Sequence, residues 1–255
     1  MIHQVWLIAR RSVVRTFRQP GVWIPPLTFP LLLMAINSNG LRAATHLPGF
    51  PTHSFLAFFM PFAFIQGALF ASAIAGTDLA RDIDTGFLNR LALTPVRGSA
   101  LLLGQIGGVV GLGALQGCIY LGVGLLFGVH IDAGVAGAVL ILVLAMLIAM
   151  GWGTLGLWLA LRTGSGEGVQ AQLPLLFFLL FISSMNLPRN LIEVTWFRDA
   201  ATANPVSYMI EGLRSLVIEG WNTEALALAF GFTFLLIAIS LTLAGRQLKV
   251  RMTRT

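Results

Sequence analysis

The side chains that could carry chemistry are few and unevenly placed. The 255 residues hold 16 basic and 10 acidic groups. Asp78, Arg81, Asp82, Asp84 and Arg90 crowd into one interval, Gly76 to Gln105. Carboxylates and guanidinium groups at this density can pair, cap helix ends or grip a partner. Hydrolytic or phosphate chemistry needs other arrangements. A phosphate loop of the G-x-x-x-x-G-K-[ST] type needs a lysine to reach the β and γ phosphates, and Lys249, the only lysine, stands in a basic tail without that pattern. The Gly164-Ser165-Gly166-Glu167-Gly168 stretch follows no strand and is expected as a flexible turn. His3, His46, His53 and His130 are scattered, with no His-Glu-x-x-His and no G-x-S-x-G. Cys118 is single, so no internal disulfide forms, and no metal cluster is suggested. The chain is not expected to be an enzyme by itself, and no cofactor is expected in it.

The elements that position the charged interval are apolar. Hydrophobic residues make up 56% of the chain, charged ones 10%, and mean hydropathy is +0.84. This composition belongs to an all-α integral membrane protein. The net charge of +6 does not point to nucleic acid, because the basic residues form no stripe interleaved with aromatics. Six spans are expected at 22–40, 54–76, 99–128, 133–161, 169–187 and 224–245, each long enough for about 30 Å of hydrocarbon. One charge at the bilayer centre costs about 2.5–3.5 kcal/mol. Five such charges between Asp78 and Arg90 therefore place residues 77–97 in water or against a partner. Residues 1–19 read as a basic amphipathic helix on the membrane surface, with Ile2, Val5, Trp6, Ala9, Val13 and Phe17 on one face. Aromatics within that basic segment argue against a signal peptide. Twelve of the basic residues fall on the side of the N-terminus and four on the other. With an even span count, both termini are expected in the cytoplasm of a multi-pass plasma or inner membrane protein.

Within this frame, Asp84 and Thr85 are candidate N-caps for a short helix over Phe87 to Leu93, ended by Pro95. Phe87, Leu88 and Leu91 share a face that needs covering, by a partner or by membrane lipid. Glycines of the third span, including Gly104, Gly107, Gly113 and Gly117, allow close helix approach. The three prolines of the first span, Pro25, Pro26 and Pro30, argue against a straight helix. In the second span Gln66 is flanked at helical spacing by Phe59, Phe62 and Phe70. An amide in hydrocarbon seeks a partner, so Gln66 is expected to face a second subunit or an aqueous path, with Phe177 and Phe181 completing an aromatic lining. Residues 187–222 are too polar to span. Asn204 caps a helix with Pro205 at its first position, and Glu211 and Arg214 have the spacing of a pair.

The charged interval resembles a known family. Asp82-Ile-Asp84-Thr85-Gly86-Phe87-Leu88-Asn89-Arg90-Leu91, followed by Leu93-Thr94-Pro95-Val96, is similar to the loop of type-2 ABC-transporter permeases of the daunorubicin-resistance type. Asn204-Pro205-Val206-Ser207-Tyr208 with Glu211-Gly212-Leu213-Arg214 resembles that family's second signature, Val206 standing where Leu or Ile is usual. The resemblance runs along the whole chain, read as one permease domain over 1–255. It implies an exporter working as a dimer of permeases with a separate cytoplasmic ATPase that binds ATP and Mg. Asp84, Gly86, Phe87, Leu88, Arg90, Leu91 and Pro95 would then couple to the ATPase, braced by the N-terminal helix. The substrate, a hydrophobic or amphipathic compound, would pass between the permeases along the second and fifth spans. Residues 187–222, with Asn204, Pro205, Tyr208, Glu211 and Arg214, would form external helices over the exit. The alternatives are an ion-gradient-driven transporter, which usually carries ionisable groups near the midplane, and a non-transporting assembly factor.

Overall fold

The computed structural model describes residues 6, 7, 9–11, 14, 18–87, 90 and 98–252. Among them helix is the only regular structure: α1 Pro20–Gly40, α2 Phe55–Asp84, α3 Gly98–Leu126, α4 Gly134–Thr163, α5 Gly166–Gln170, α6 Leu173–Phe181, α7 Thr195–Ala203, α8 Pro205–Ile218 and α9 Thr223–Met252. Short 3-10 turns lie at Arg42–His46 and Arg189–Leu191. Five of these helices, α1 to α4 and α9, are long and apolar enough to cross a membrane. The first segment of the chain packs by Arg11 on Asp82, and Arg251 donates to the Leu161 carbonyl. Arg11 and the end of α9 therefore share one end of the bundle, here the terminal end; the other is the far end.

The run expected as the fifth span, 169–187, is not one long helix. α5 has five residues and α6 nine, and nine residues rise only about 14 Å. Pro174 opens α6 because it has no N–H to continue the helix from α5. Beyond Ile182 the chain bends through Ser183 to Pro188.

α2 organises the bundle and is enclosed along most of its length, while α1 and α9 leave much of their surface exposed. Its start is capped by Ser54, whose hydroxyl accepts from the Ala57 N–H at 3.2 Å. Its 30 residues span about 45 Å, more than the hydrocarbon needs, so the charged interval begins as helix. The first part of the expected loop at 77–97 is therefore helix through Asp84, while most of the short helix that Asp84 and Thr85 were expected to cap lies outside the described residues. Thr85 ends α2, its hydroxyl donating to the Arg81 carbonyl at 2.8 Å, and Gly86 follows at φ 67°, a left-handed position that glycine takes without strain. The Arg90 N–H then donates to the Gly86 carbonyl at 3.1 Å. Leu88, Leu91 and Pro95, with most of residues 1–19, lie outside the described residues.

Small residues set the helix spacing. A Cβ at Gly113 of α3 would meet Ala149 of α4 at 2.6 Å. The tightest approach, however, is at Gly156 of α4, where a Cβ would collide with the Ser72 carbonyl of α2. The prolines of α1 do not interrupt it. Pro30 supplies no N–H to the Pro26 carbonyl one turn earlier, and the hydroxyl of Tyr120, buried in α3, donates there at 3.4 Å. A neighbouring helix thus meets the need the proline creates.

Candidate functional site: the two ends of helix α2

At the terminal end, Asp82 is buried beneath Arg11. Nη2 and Nη1 of Arg11 donate to the two carboxylate oxygens at 3.0 and 3.3 Å. Its guanidinium also lies 3.9 Å from the centre of the Phe87 ring, a cation–π contact. The Arg11 side chain keeps 42% of its surface exposed. Arg90 turns back on the bend, its Nη2 donating to the Thr85 carbonyl at 3.2 Å. Asp84 is exposed. Beside it opens a cleft of about 660 Å³ between α1, α2 and α5. Asp78, Arg81, Asp84 and Glu167 stand among its lining with Phe70, Ile74 and Leu173.

Midway along the bundle, Phe70 joins two clusters. It meets Phe29 edge-on at 6.1 Å and Phe177 at 5.5 Å, and Phe177 stacks on Phe181 at 6.1 Å. The structure therefore brings Phe70, Phe177 and Phe181 together. Phe59 and Phe62 stack on each other at 4.5 Å and are each 1% exposed, inside the core of this chain. Gln66 is 0% exposed, and neither amide atom has a hydrogen-bond partner among the described residues. A buried amide in that state carries the full desolvation cost of the group, about 1–3 kcal/mol.

At the far end the arginine is Arg214. The expected Glu211–Arg214 pair is corrected: Glu211 accepts from Arg189 at 2.7 Å. Arg214 is 4% exposed and has no carboxylate within ion-pair distance among the described residues. Its Nε donates to the Phe58 carbonyl at 3.0 Å, and Nη2 to those of Ser184 and Met185 at 2.9 and 3.2 Å. Its guanidinium lies 3.6 Å from the Phe58 ring centre. Burial pushes its pKa down to about 9, so at neutral pH it stays charged. The reason for the swap is reach. Arg214 lies on the face of α8 that carries Ile210 and Val217 into the core, while Glu211 is turned toward the 3-10 turn that holds Arg189.

Around this buried charge the far end is stitched together. Asn204 caps α8 by accepting from the Val206 N–H at 3.0 Å, and its Nδ2 donates to the Leu179 and Ile182 carbonyls, closing the end of α6 as well. Tyr208 donates to the Thr202 carbonyl at 2.8 Å, carries Arg189 over its ring at 4.5 Å and stacks on Phe232 of α9 at 4.8 Å. A cavity of about 600 Å³ opens here, with Arg189, Arg198, Tyr208, Glu211 and Arg214 in its wall. Helical spacing put Arg11 on the polar face of the N-terminal segment but named no partner for it. It also missed the true partners of Arg214. Pro61 within α2 leaves the Ala57 carbonyl without its helical donor, which is next to the Phe58 carbonyl that Arg214 takes but not the same group, so no local signal marked that partner.

Residues 3–218 match the family described as ABC-2 type transporter, a stretch that contains both arginine sites. Over 178 residues the chain is 28% identical to a daunorubicin resistance ABC transporter permease protein of Streptomyces coeruleorubidus, covering 65% of this chain and 59% of that relative. The helices are those of a multi-pass membrane protein. The chain belongs to the ABC-2 type transporter family.

Proposed function

We propose that this permease exports a hydrophobic or amphipathic compound, driven by a separate ATP-binding-cassette ATPase that holds ATP and Mg. A second permease, identical or related, completes the path. The observation that carries this reading is the terminal-end cleft, whose wall passes from Asp84 and Glu167 at the rim to Phe70, Ile74 and Leu173 inside. Such a lining suits a molecule with a polar group on a bulky apolar body. Phe70 continues the apolar wall through Phe177 to Phe181, and residues 166–187 make the sixth crossing as a broken element. Opening the Phe70–Phe177 seam would give Gln66 a polar partner in the substrate or in water. The terminal end is cytoplasmic, as the distribution of basic residues asks. There Asp84, Gly86, Phe87, Leu88, Arg90, Leu91 and Pro95 form the ATPase contact, steadied by Arg11. The far end, with Asn204, Pro205, Tyr208, Glu211 and Arg214, covers the exit. The relative's name speaks of daunorubicin resistance, and a drug-like cargo fits the cleft described here.

An ion-gradient-driven transporter is the weaker reading. The charged residues described in the long helices, such as Asp78, Arg162, Glu224 and Arg246, stand toward helix ends rather than at mid-span. The test is reconstitution of the permease with its ATPase in proteoliposomes and a varied panel of fluorescent amphiphiles. Export is expected to need ATP hydrolysis and to be accompanied by stimulated hydrolysis. Movement that persists without nucleotide and follows an imposed ion gradient overturns the proposal.

A further inference from the structure

Arg214 joins three parts of the chain through one side chain. It stands on α8, and its guanidinium reaches the backbone of α2 at Phe58 and the bend after α6 at Ser184 and Met185. A carboxylate was at hand one turn away, yet Glu211 is committed to Arg189. The difference matters mechanically. An ion pair between two partly solvated side chains can stretch and re-form in water, whereas bonds to main-chain carbonyls in a buried site move only with the backbone. Other contacts join α8 to the same bend: Asn204 Nδ2 to the Leu179 and Ile182 carbonyls, and the Ser184 N–H to the Ser207 hydroxyl at 3.2 Å. Arg214 adds α2 to that set.

We infer that Arg214 is a positioning residue that ties the far-end helix α8 and the bend after α6 to the outer turn of α2, so that displacement of α2 moves the wall of the far-end cavity. This rests on the exporter reading for the source of the displacement, which would enter where Arg11 holds Asp82. The wall that would move carries Tyr208 and Glu211 on α8 and Arg189 before it. Neither residue roles nor a link between the two ends is supplied by family membership.

The experiment uses the complex with its ATPase, Cys118→Ser, and a single cysteine replacing Thr202 at the cavity wall. A membrane-impermeant maleimide is reacted with the nucleotide-free and the vanadate-trapped complex. The parent should label at rates differing about fivefold or more between the two states, the low end of allosteric coupling. Arg214→Lys keeps the charge but loses the planar fork. It should flatten that difference while ATP hydrolysis continues and transport falls. A full difference in Arg214→Lys overturns the tie, and so does a parent that transports without any difference. A second readout needs no ATPase. In the isolated permease, Arg214→Lys should speed amide hydrogen exchange by about tenfold both at 184–186 and at 58–62, as joint local opening requires. Acceleration confined to one of these segments overturns the tie even if Arg214→Lys lowers overall stability. If the parent shows no ATP-driven transport, the exporter reading falls and the exchange result still decides the tie.

Discussion

The two ends of α2 are held by arginines in opposite ways. At the terminal end Arg11, partly open to solvent, takes a carboxylate and an aromatic face, Asp82 and Phe87. At the far end Arg214, out of solvent, takes three main-chain carbonyls and the Phe58 ring. Water reaches the Arg11 side of the pair and screens it, so the contact with buried Asp82 is worth less than a fully enclosed one. Each buried hydrogen bond from a charged donor is worth about 1.5–3 kcal/mol, and removing the donor strands its acceptors. The terminal clasp is therefore suited to being made and broken, and the far one to staying made. That is the arrangement a subunit needs if a partner works on one end while the other must follow.

The comparison makes Arg214→Ala the most damaging single change. Losing a charged donor from three carbonyls is expected to cost about 3 kcal/mol or more, seen as a large fall in unfolding temperature in detergent and low membrane levels. If its unfolding temperature falls no further than that of Arg11→Ala, the contrast between the ends is gone. Gly156→Ala comes next, because the new Cβ must displace the Ser72 backbone of α2. Overpacking of this kind costs about 1–3 kcal/mol and should loosen both ends together, read by hydrogen exchange at Phe58 and Asp82. Phe87→Ala separates the two roles of the terminal end. Burying one such ring is worth about 1.5–3 kcal/mol, so ATPase co-purification and transport should fall while the unfolding temperature barely moves. Normal ATPase retention would return Phe87 to a purely internal contact with Arg11.

Two charge exchanges sharpen the contrast with smaller effects. Arg11→Asp with Asp82→Arg should recover transport better than either single reversal, by a coupling energy of about 0.5–1 kcal/mol. Arg189→Glu with Glu211→Arg should behave likewise at the far end, whereas Glu211→Arg with Arg214→Glu should not recover. Recovery by that last pair would restore the partner that helical spacing alone suggests.

Much of this was legible in the chain. Its apolar runs demanded helices, because hydrocarbon leaves no other partner for the backbone, and α1 to α4 and α9 lie where those runs fall. Asn204 and Pro205 announced α8, since a cap and a proline act within one turn. The Asp84-to-Pro95 wording and the Asn204-to-Arg214 wording pointed to the family before any fold was known. Local rules went astray where two segments competed. Thr85 looked like the start of a helix but closes the one before it, because α2 remains enclosed far enough to carry the helix through Asp84. The run 169–187 was apolar enough to span, yet it breaks at Pro174 and again beyond Phe181, where Asn204 takes the carbonyls of Leu179 and Ile182.

What the sequence determined by itself was the solvent in which the chain folds, the number of long apolar helices to within one, and the place of the charged interval. These follow from transfer free energies and local propensities, which add up along the chain. What only the tertiary structure decided was partnership: Arg11 with Asp82, Arg189 with Glu211, Arg214 with three carbonyls from α2 and the bend after α6. Residues 71 and 156 positions apart meet in the first and last of these. The physical reason is that a guanidinium offers five donors in a rigid plane, so its helical spacing fixes where it starts but not which acceptors it meets. Burial makes that choice, and burial is a property of the packed bundle.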